Sequence, residues 1–565
     1  MKKLILGIGL FFVVLLALAL TLPFLIDLTH FKDRFLPQVE AALNRKVDVR
    51  KIRLSLIPLG ARVEGVTVLD DPAFSNDPFL TIESTVVHLK FFPLLQRRLE
   101  VSEFSLKRPE MVLIKNSEGV MNTSTLGKKS SGEKSPAPAP AAPSAPASQV
   151  GIQGEEVTVK GGKVTLIDLS APEIPPFVAE NMAVNVKNLI LGQTPSFDAS
   201  ARLMPADKMV KLKGEIGPLT TQMKPEQVHL AANIGESDLD LRGGFQGDRA
   251  EMKARSKMLN LDELMALLPA SSSDTTKPPQ KGPAPAPSPG AARASLDFNF
   301  DKVVTQGIEI KEVVGRVGLH RGLFSLEQFS ASLFEGKLSG NARVNTASAT
   351  YPFTSELSLQ GVSFGALAEK LVSAPSGLLT GKSNLSVSLR GEGSDWSQLS
   401  KSLTGQGALS VQNGGIEKVN LLKQTFEALH AAGIPNISQA PRTTFSEMKT
   451  ALTVDRGRIR LPDLKVAASE FTFLGEGTVG VNGEFQIGGA MKLSPSLTAQ
   501  IQKGPLASLL GGKKGEAVFP IQLAGNTQGV RLAVDETALK KQATERFTER
   551  LEKEKGAVIE KFFKR

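Results

Sequence analysis

The chain has 565 residues, of which 41% are hydrophobic and 22% charged, and these proportions exclude wholesale disorder, a collagen-like fibre and a polytopic membrane protein. It contains 29 Phe but one Tyr, one Trp and no Cys, so disulfides and thiolate metal sites are excluded. The net charge of +10 is spread along the chain without a compact basic block, which argues against nucleic acid as a partner.

The first predicted element is a membrane anchor at residues 1–26. An uncharged apolar run extends from Leu4 to Ile26, and a helix needs about 20 such residues to cross a hydrocarbon core. The alternative is a cleaved signal peptide, since Ala17-Leu18-Ala19 has the shape of a cleavage site. Lys2 and Lys3 are the only charges ahead of the run, so the N-terminus is expected in the cytoplasm and the bulk of the chain across the membrane.

Two stretches rich in Pro and Ala, residues 127–150 and 270–293, are predicted to be linkers that bury nothing. Between them, short alternating apolar runs and turn residues indicate β-structure. The predicted segments around the linkers are an N-terminal region at 27–126, β-rich regions at 151–269 and 294–534, and a charged C-terminal helix at 535–565.

Glycine turns predict hairpins in series and therefore an antiparallel sheet. Gly161-Gly162 separates two alternating runs, and Asn482-Gly483 is typical of a type I′ hairpin turn. From Phe471 to Leu493 the apolar residues share one parity, which places them on one face of the sheet. The residues predicted to line this apolar face are Phe471, Phe473, Val479, Val481, Phe485 and Ile487.

Apolar residues three and four apart predict a short amphipathic helix after a strand at residues 258–268 and again at 361–371. The predicted fold class is therefore mainly β. It begins with a transmembrane helix, continues as an elongated, repetitive antiparallel sheet with short amphipathic helices, and ends in a C-terminal helix.

No enzyme is predicted. Gly361-Val362-Ser363-Phe364-Gly365 matches the G-x-S-x-G nucleophile elbow, with Asp395 and His430 downstream in hydrolase order. The repeat copy, however, holds Asn260-Leu261-Asp262 without a serine, and the surrounding pattern lacks the βαβ units that the elbow needs. The histidines are few and far apart, so we expect no catalytic, cofactor or metal site.

Several motifs share a pattern of strands and glycines rather than a catalytic signature. They are Phe91-Phe92-Pro93-Leu94-Leu95, Arg108-Pro109-Glu110 and Gly119-Val120-Met121-Asn122 behind the anchor, Leu333 to Gly340 in the middle, and Leu403 to Gly407 and Phe519 to Asp535 near the end. In this pattern the sequence resembles the AsmA family of Gram-negative envelope proteins over essentially the whole chain. Residues 27–126 resemble the chorein-like N-terminal region of the family, and residues 294–534 include its C-terminal domain.

The resemblance implies an inner-membrane protein, anchored once through residues 4–26, whose periplasmic part is a curled β-sheet with an apolar groove. It implies a relation to bridge-like lipid-transfer proteins and a role in outer-membrane biogenesis, by binding or moving phospholipid. Outer-membrane assembly components are a further class of partner. A Phe-rich surface with few polar handles suits acyl chains.

The alternative is that the apolar faces pair into closed sandwiches. The chain would then be a periplasmic scaffold that regulates outer-membrane protein targeting or assembly without carrying lipid.

Overall fold

The computed structural model describes residues 32–127, 154–267, 293–501 and 517–535, and a few residues beyond, with interruptions at 57, 97–99, 221–224, 373–375, 418–419, 431–441, 481–482 and 527–528. The predicted anchor, nearly all of both predicted linkers and most of the predicted C-terminal helix lie outside the described residues. Among the described residues, no helix is long and apolar enough to cross a membrane.

The described residues are mainly β, as predicted, with 25 strands. The chain divides into two compact units: unit 1 comprises Met1–Ala284 and Phe300–Ile308, and unit 2 comprises Pro285–Asn299 and Glu309–Arg565. Each unit is built from long strands that alternate in burial, with short helices at the strand ends.

The elements of unit 1 are helices α1 (Lys32–Leu43), α2 (Phe91–Leu95) and α3 (Leu261–Ala266), a 3-10 helix (Asn122–Thr125), and strands β1 (Val47–Leu56), β2 (Leu59–Leu69), β3 (Pro78–Leu89), β4 (Val101–Lys115), β5 (Gly154–Asp168), β6 (Phe177–Leu189), β7 (Ser196–Met204), β8 (Lys208–Gly217), β9 (Gln227–Ile234), β10 (Ser237–Gln246), β11 (Arg249–Ser256) and β12 (Leu259–Asn260). Strand β13 (Arg293–Thr305) has residues in both units.

The elements of unit 2 are helices α4 (Phe364–Val372), α5 (Trp396–Ser402), α6 (Leu421–His430) and α7 (Pro495–Ile501), and strands β14 (Ile308–His320), β15 (Leu323–Leu333), β16 (Gly336–Asn345), β17 (Phe353–Ser363), β18 (Leu379–Gly391), β19 (Thr404–Ile416), β20 (Thr443–Asp455), β21 (Arg458–Ala467), β22 (Phe471–Gly480), β23 (Phe485–Leu493), β24 (Val518–Asn526) and β25 (Gly529–Val534). Helices α3 and α4 confirm the two short helices predicted after a strand.

The strand pairing is mixed, whereas the sequence predicted an antiparallel sheet. Most neighbours are antiparallel, but β4 pairs with β5 in parallel, and so does β12 with β13. A parallel pair requires a crossover of a dozen or more residues. Both Pro-rich segments lie in such a connection, since one falls between Lys115 and Gly154 and the other between Asn260 and Arg293. Segments predicted to be linkers thus occupy the crossovers of the parallel pairs.

The hairpin predicted at Gly161-Gly162 is wrong. These glycines lie inside one strand, β5, where Gly161 has a φ of +67° and the register against β6 shifts on both sides of Gly162. They form a β-bulge, because a left-handed residue inside a strand adds an unpaired position without reversing the chain. The hairpin at Asn482-Gly483 is confirmed, with Val479 paired to Phe485 across antiparallel β22 and β23.

A buried polar network joins the connection between α1 and β1 to the end of β2 and to the 3-10 helix. The guanidinium of Arg45 donates to the backbone oxygen of Asn122 at 2.8 Å and to Thr125 Oγ1 at 2.6 Å, and lies 3.8 Å from the Asp70 carboxylate. The Asn122 amide donates to Asp70 Oδ2 at 2.6 Å and its side-chain oxygen accepts from the Ile114 backbone N–H at 3.1 Å. The chain that follows the predicted anchor is therefore tied firmly to the first strands.

Candidate functional site

The strand register of unit 1 aligns one apolar or small residue from every strand between β1 and β11. Residues that face each other across a ladder share a sheet face, so the aligned residues form a stripe across the strands. We call this stripe the first apolar row. Its members are Leu54, Ala61, Val87, Phe104, Val157, Val186, Phe197, Gly214, Leu230, Leu241 and Ala254.

Unit 2 repeats this arrangement between β14 and β23, and we call the stripe the second apolar row. At about 4.8 Å per strand, each row extends over roughly 45 Å. No member of either row is charged. The members of the second row are Val317, Leu326, Ala342, Ser355, Leu389, Gly405, Val454, Ile459, Val479 and Phe485.

Both rows remain partly exposed to solvent. Ala254 and Val454 are buried, and the other members are half-buried. The neighbouring residues on each strand point to the opposite face, as the period of two requires. In β18, for example, Leu389 is flanked by the exposed Ser388 and Arg390. Each row is therefore an apolar surface that the described residues leave partly uncovered.

The opposite face is polar, and several of its charges are paired. In unit 1, the Arg242 guanidinium holds the pKa of Asp240 below its usual range, and His229 adds a bond to the same carboxylate at 2.9 Å. In unit 2, Arg460 lies 3.7 Å from Asp455. The two faces of each sheet thus differ sharply in chemistry, and only the apolar one suits a partner without hydrogen-bonding groups.

Glycines occur in the rows where a Cβ atom would have no room. A Cβ atom on Gly214 would lie 2.2 Å from the His229 backbone oxygen and 2.8 Å from Phe197 Cζ, and one on Gly405 would lie 2.5 Å from the Ser388 backbone oxygen and 2.7 Å from Leu389 Cδ2. All four distances are too short for atoms in contact. Both the backbone of the next strand and a large apolar side chain therefore occupy the space that a side chain at these positions would need.

One end of the strands in unit 2 is closed by helices. Phe471 and Phe473 are 3% and 4% exposed, within a cluster that also contains Phe426 of α6 and Leu497 of α7. Another cluster, built around Val362, joins α4 to β17. At this end the apolar face is an ordinary closed core.

The residues predicted to line the apolar face are thus divided between two environments. Val479 and Phe485 belong to the second apolar row, and Ile487 lies half-buried on the same face. Phe471 and Phe473 lie in the closed core, and Val481 lies outside the described residues. A lining role for any of them remains a prediction.

The G-x-S-x-G motif lies between β17 and α4, as its sequence suggests, but its side chains cap helices. Ser363 Oγ accepts from the Ala366 N–H at 3.5 Å at the start of α4. Asp395 Oδ1 accepts from the Gln398 N–H at 3.0 Å at the start of α5. The His430 side chain lies outside the described part of the chain.

Most members of both rows were not predicted from the sequence, because a β-bulge changes which alternate residues of a strand lie on the same face. In β15, Leu326 and Phe329 share a face although they are three residues apart, since Gln328 has a φ of +52° and the register shifts between them. Asn181 in β6 has a φ of +53° at a similar shift. Asn tolerates this conformation better than most residues, so an Asn inside a strand, like Gly161, is a local signal of such a bulge.

These features define a class of mainly β proteins whose long strands carry a continuous, partly exposed apolar stripe on one face and polar and charged side chains on the other. The chain belongs to the AsmA family, since the family's sequence profile matches residues 1–206 and 272–464. Among curated proteins none matches the chain, and among solved structures none does.

Proposed function

We propose that the chain supports outer-membrane biogenesis by binding or moving phospholipid along its apolar rows. It would be held in the bacterial inner membrane by residues 4–26, with its bulk in the periplasm, and would work without catalysis or a cofactor. Outer-membrane assembly components remain a proposed partner class.

The observation that carries this proposal is the continuity of the rows. A lipid acyl chain needs an extended surface free of unpaired polar groups, because burying such a group without a hydrogen bond costs about 1–3 kcal/mol. Both rows supply such a surface, and their partial exposure leaves room for a partner. The wet headgroup would remain at the rim of the sheet. Membership of the AsmA family is consistent with this role.

The test is photo-crosslinking in cells with radiolabelled phospholipid. A photoreactive amino acid is placed at Leu389 in the second row or at Val186 in the first. The matched controls are the adjacent residues on the opposite face, Ser388 and Lys187, which are exposed. We expect lipid adducts at the row positions and none at the controls.

The same experiment tests the alternative, a periplasmic scaffold that regulates outer-membrane protein targeting or assembly. Adducts with protein at Leu389 and Val186, and none with lipid, would favour the scaffold. Equal lipid labelling on both faces would contradict a specific apolar surface.

A further inference from the structure

A polar concavity lies in unit 2, on the face opposite the second apolar row. Its volume is about 830 Å³, a size typical of small-molecule sites. Each charged lining residue adjoins a member of that row along its strand, so its side chain points to the other face. These charged residues are Glu327, Arg343, Glu356, Arg390, Asp455 and Arg460. Four members of the row also border the concavity, and each lies between two polar lining residues of its strand.

Two arginines and a threonine face one another on three adjacent strands of this concavity. The register pairs Arg343 of β16 with Thr354 of β17, and Thr354 with Arg390 of β18. All three residues are exposed. At about 4.8 Å per strand, the backbones of the two arginines lie roughly 10 Å apart, with the threonine between them. Arginine side chains are long, so both guanidinium groups can reach a group bound over Thr354.

The positive charge of these arginines is not neutralised within the described part of the chain. The Arg343 side chain has neither an ion pair nor a hydrogen bond to any other described residue, and the same holds for the Thr354 hydroxyl. Arg390 Nε donates to Thr404 Oγ1 at 3.2 Å, and its two terminal nitrogens have no partner among the described residues. Donors for a further ligand are therefore available on both sides of Thr354.

The carboxylates that line the concavity have other partners or lie on a more distant strand. The Glu356 carboxylate accepts from Asn341 Nδ2 at 3.0 Å, and the Asp455 carboxylate lies 3.7 Å from Arg460. Glu327 lies on β15, two strands from β17. The space between the two arginines therefore has an excess of positive charge, which favours an anionic ligand.

Phosphate is the anion that this arrangement suits. A guanidinium group can bind phosphate through two parallel N–H donors, and a threonine hydroxyl can donate to a further oxygen. None of the described residues that line the concavity is aromatic, so it lacks the stacking surface that nucleobases use. The acyl chains of a lipid bound here would lie in water, because the apolar row is on the opposite face of the sheet. These observations favour a small, water-soluble phosphate ester.

We propose that Arg343, Thr354 and Arg390 form a binding site for a small, water-soluble phosphate ester. The two guanidinium groups hold the phosphate from either side, and the Thr354 hydroxyl donates to it between them. The site is separate from the apolar rows and would remain if the rows carried no lipid.

The test is isothermal titration calorimetry of the full chain, held in dodecyl maltoside, a detergent without phosphate. The probe is glycerol 3-phosphate, and glycerol is the control ligand. We expect saturable binding of glycerol 3-phosphate and none of glycerol. Arg343→Gln and Arg390→Gln should each weaken binding about tenfold, because each removes a hydrogen bond from a charged donor to the phosphate.

The matched control variant is Arg458→Gln. Arg458 is exposed on the same face and has no ion pair with any described residue, but it does not line the concavity. It lies four strands from Thr354, or about 19 Å, which exceeds the Debye length of ~8 Å at physiological salt. The substitution should change the affinity less than about twofold.

Circular dichroism checks that all three variants fold, as expected for exposed residues. Equal losses of affinity in the three variants would overturn the proposal, because they would indicate a general attraction to positive charge. An absence of saturable binding at millimolar glycerol 3-phosphate would also overturn it. Lipid adducts at Ser388 in the photo-crosslinking experiment would assign the concavity to a lipid headgroup and overturn the water-soluble ligand.

Discussion

Asn122 is fully buried and connects separate parts of unit 1 through its short side chain. Its amide bonds Asp70 and the Val112 carbonyl, while its oxygen accepts from the Ile114 N–H. A buried polar group that loses its partner costs about 1–3 kcal/mol. The sequence showed this residue only as part of a family-like motif, because its partners are distant in the chain.

The residue therefore permits a quantitative prediction. Asn122→Ala should lower the free energy of unfolding of unit 1 by about 2–3 kcal/mol, because it removes the hydrogen bonds that Asp70 Oδ2 accepts and that the Ile114 N–H donates. Denaturant titration followed by circular dichroism measures the change. The control, Asn233→Ala, alters an exposed strand residue and should change stability by less than about 0.5 kcal/mol. Equal effects of the two substitutions would contradict the assignment.

Glu263 makes the stability of unit 1 depend on pH. Burial raises the pKa of this carboxyl, but Lys208 at 2.5 Å and the Glu236 N–H at 3.0 Å outweigh burial and lower the pKa overall. The folded state thus favours the ionised form. Its contribution to stability is present above the ordinary pKa near 4.5 and is lost as the pH falls through the lower folded value.

We therefore expect Glu263→Gln to destabilise unit 1 at pH 7 and to have a smaller effect at pH 3. The measurement compares unfolding midpoints of the variant and the natural chain at both pH values. A difference that stays constant between pH 7 and pH 3 would show that ionisation of Glu263 does not contribute.

At the scale of the element, the burial of the apolar side chains of β22 and β23 differs between the two ends of these strands. The Phe471 end is sealed by α6 and α7, whereas the Val479 end belongs to the second apolar row. The alternation of the sequence predicted one apolar face correctly, but alternation alone does not indicate where a helix covers it. That depends on residues such as Phe426 and Leu497, which are distant in sequence and meet the strands only after folding.

The two ends should respond differently to the same truncation. Phe473→Ala removes a ring from a closed core and should cost about 3–5 kcal/mol of stability. Val479→Ala, in the half-buried row, should cost about 1 kcal/mol. Chemical unfolding of both variants measures the contrast. Similar losses would mean that the row end is as tightly packed as the core.

At the scale of the whole molecule, the residues of both parallel pairs belong to unit 1, and the crossover of each pair includes a Pro-rich segment. Composition was enough to recognise the Pro-rich segments. Motifs were enough to recognise the family, and the alternation of apolar residues was enough to predict the mainly β class. The sequence did not allow the parallel pairing to be predicted, because a long connection is compatible with either direction of return. Strand register, which creates the rows, also depends on bulges that composition does not reveal.

The crossover between β4 and β5 has a minimum length. Strand β4 has 15 residues, so the chain must travel about 45 Å to return from its end to its start, and the roughly 26 residues after Gly127 span at most ~90 Å. Deleting about ten of these residues should leave folding unchanged. Deleting about eighteen leaves a connection that spans at most ~28 Å, and this should abolish the β4–β5 pair. Proteolysis and circular dichroism of both deletions test this. A folded chain with the longer deletion would contradict the parallel pairing.

Under the proposed function, the uniformity of the rows has a kinetic consequence. Because no charged side chain interrupts either row, a hydrocarbon tail lying on it meets similar surroundings at every strand. Positions about 5 Å apart then differ little in free energy, and none is a deep trap. Movement along a row becomes a one-dimensional random walk whose net direction is set by the difference in lipid occupancy between its ends. Each row would then allow only passive movement of lipid, and any energy input would have to act where lipid is supplied or removed.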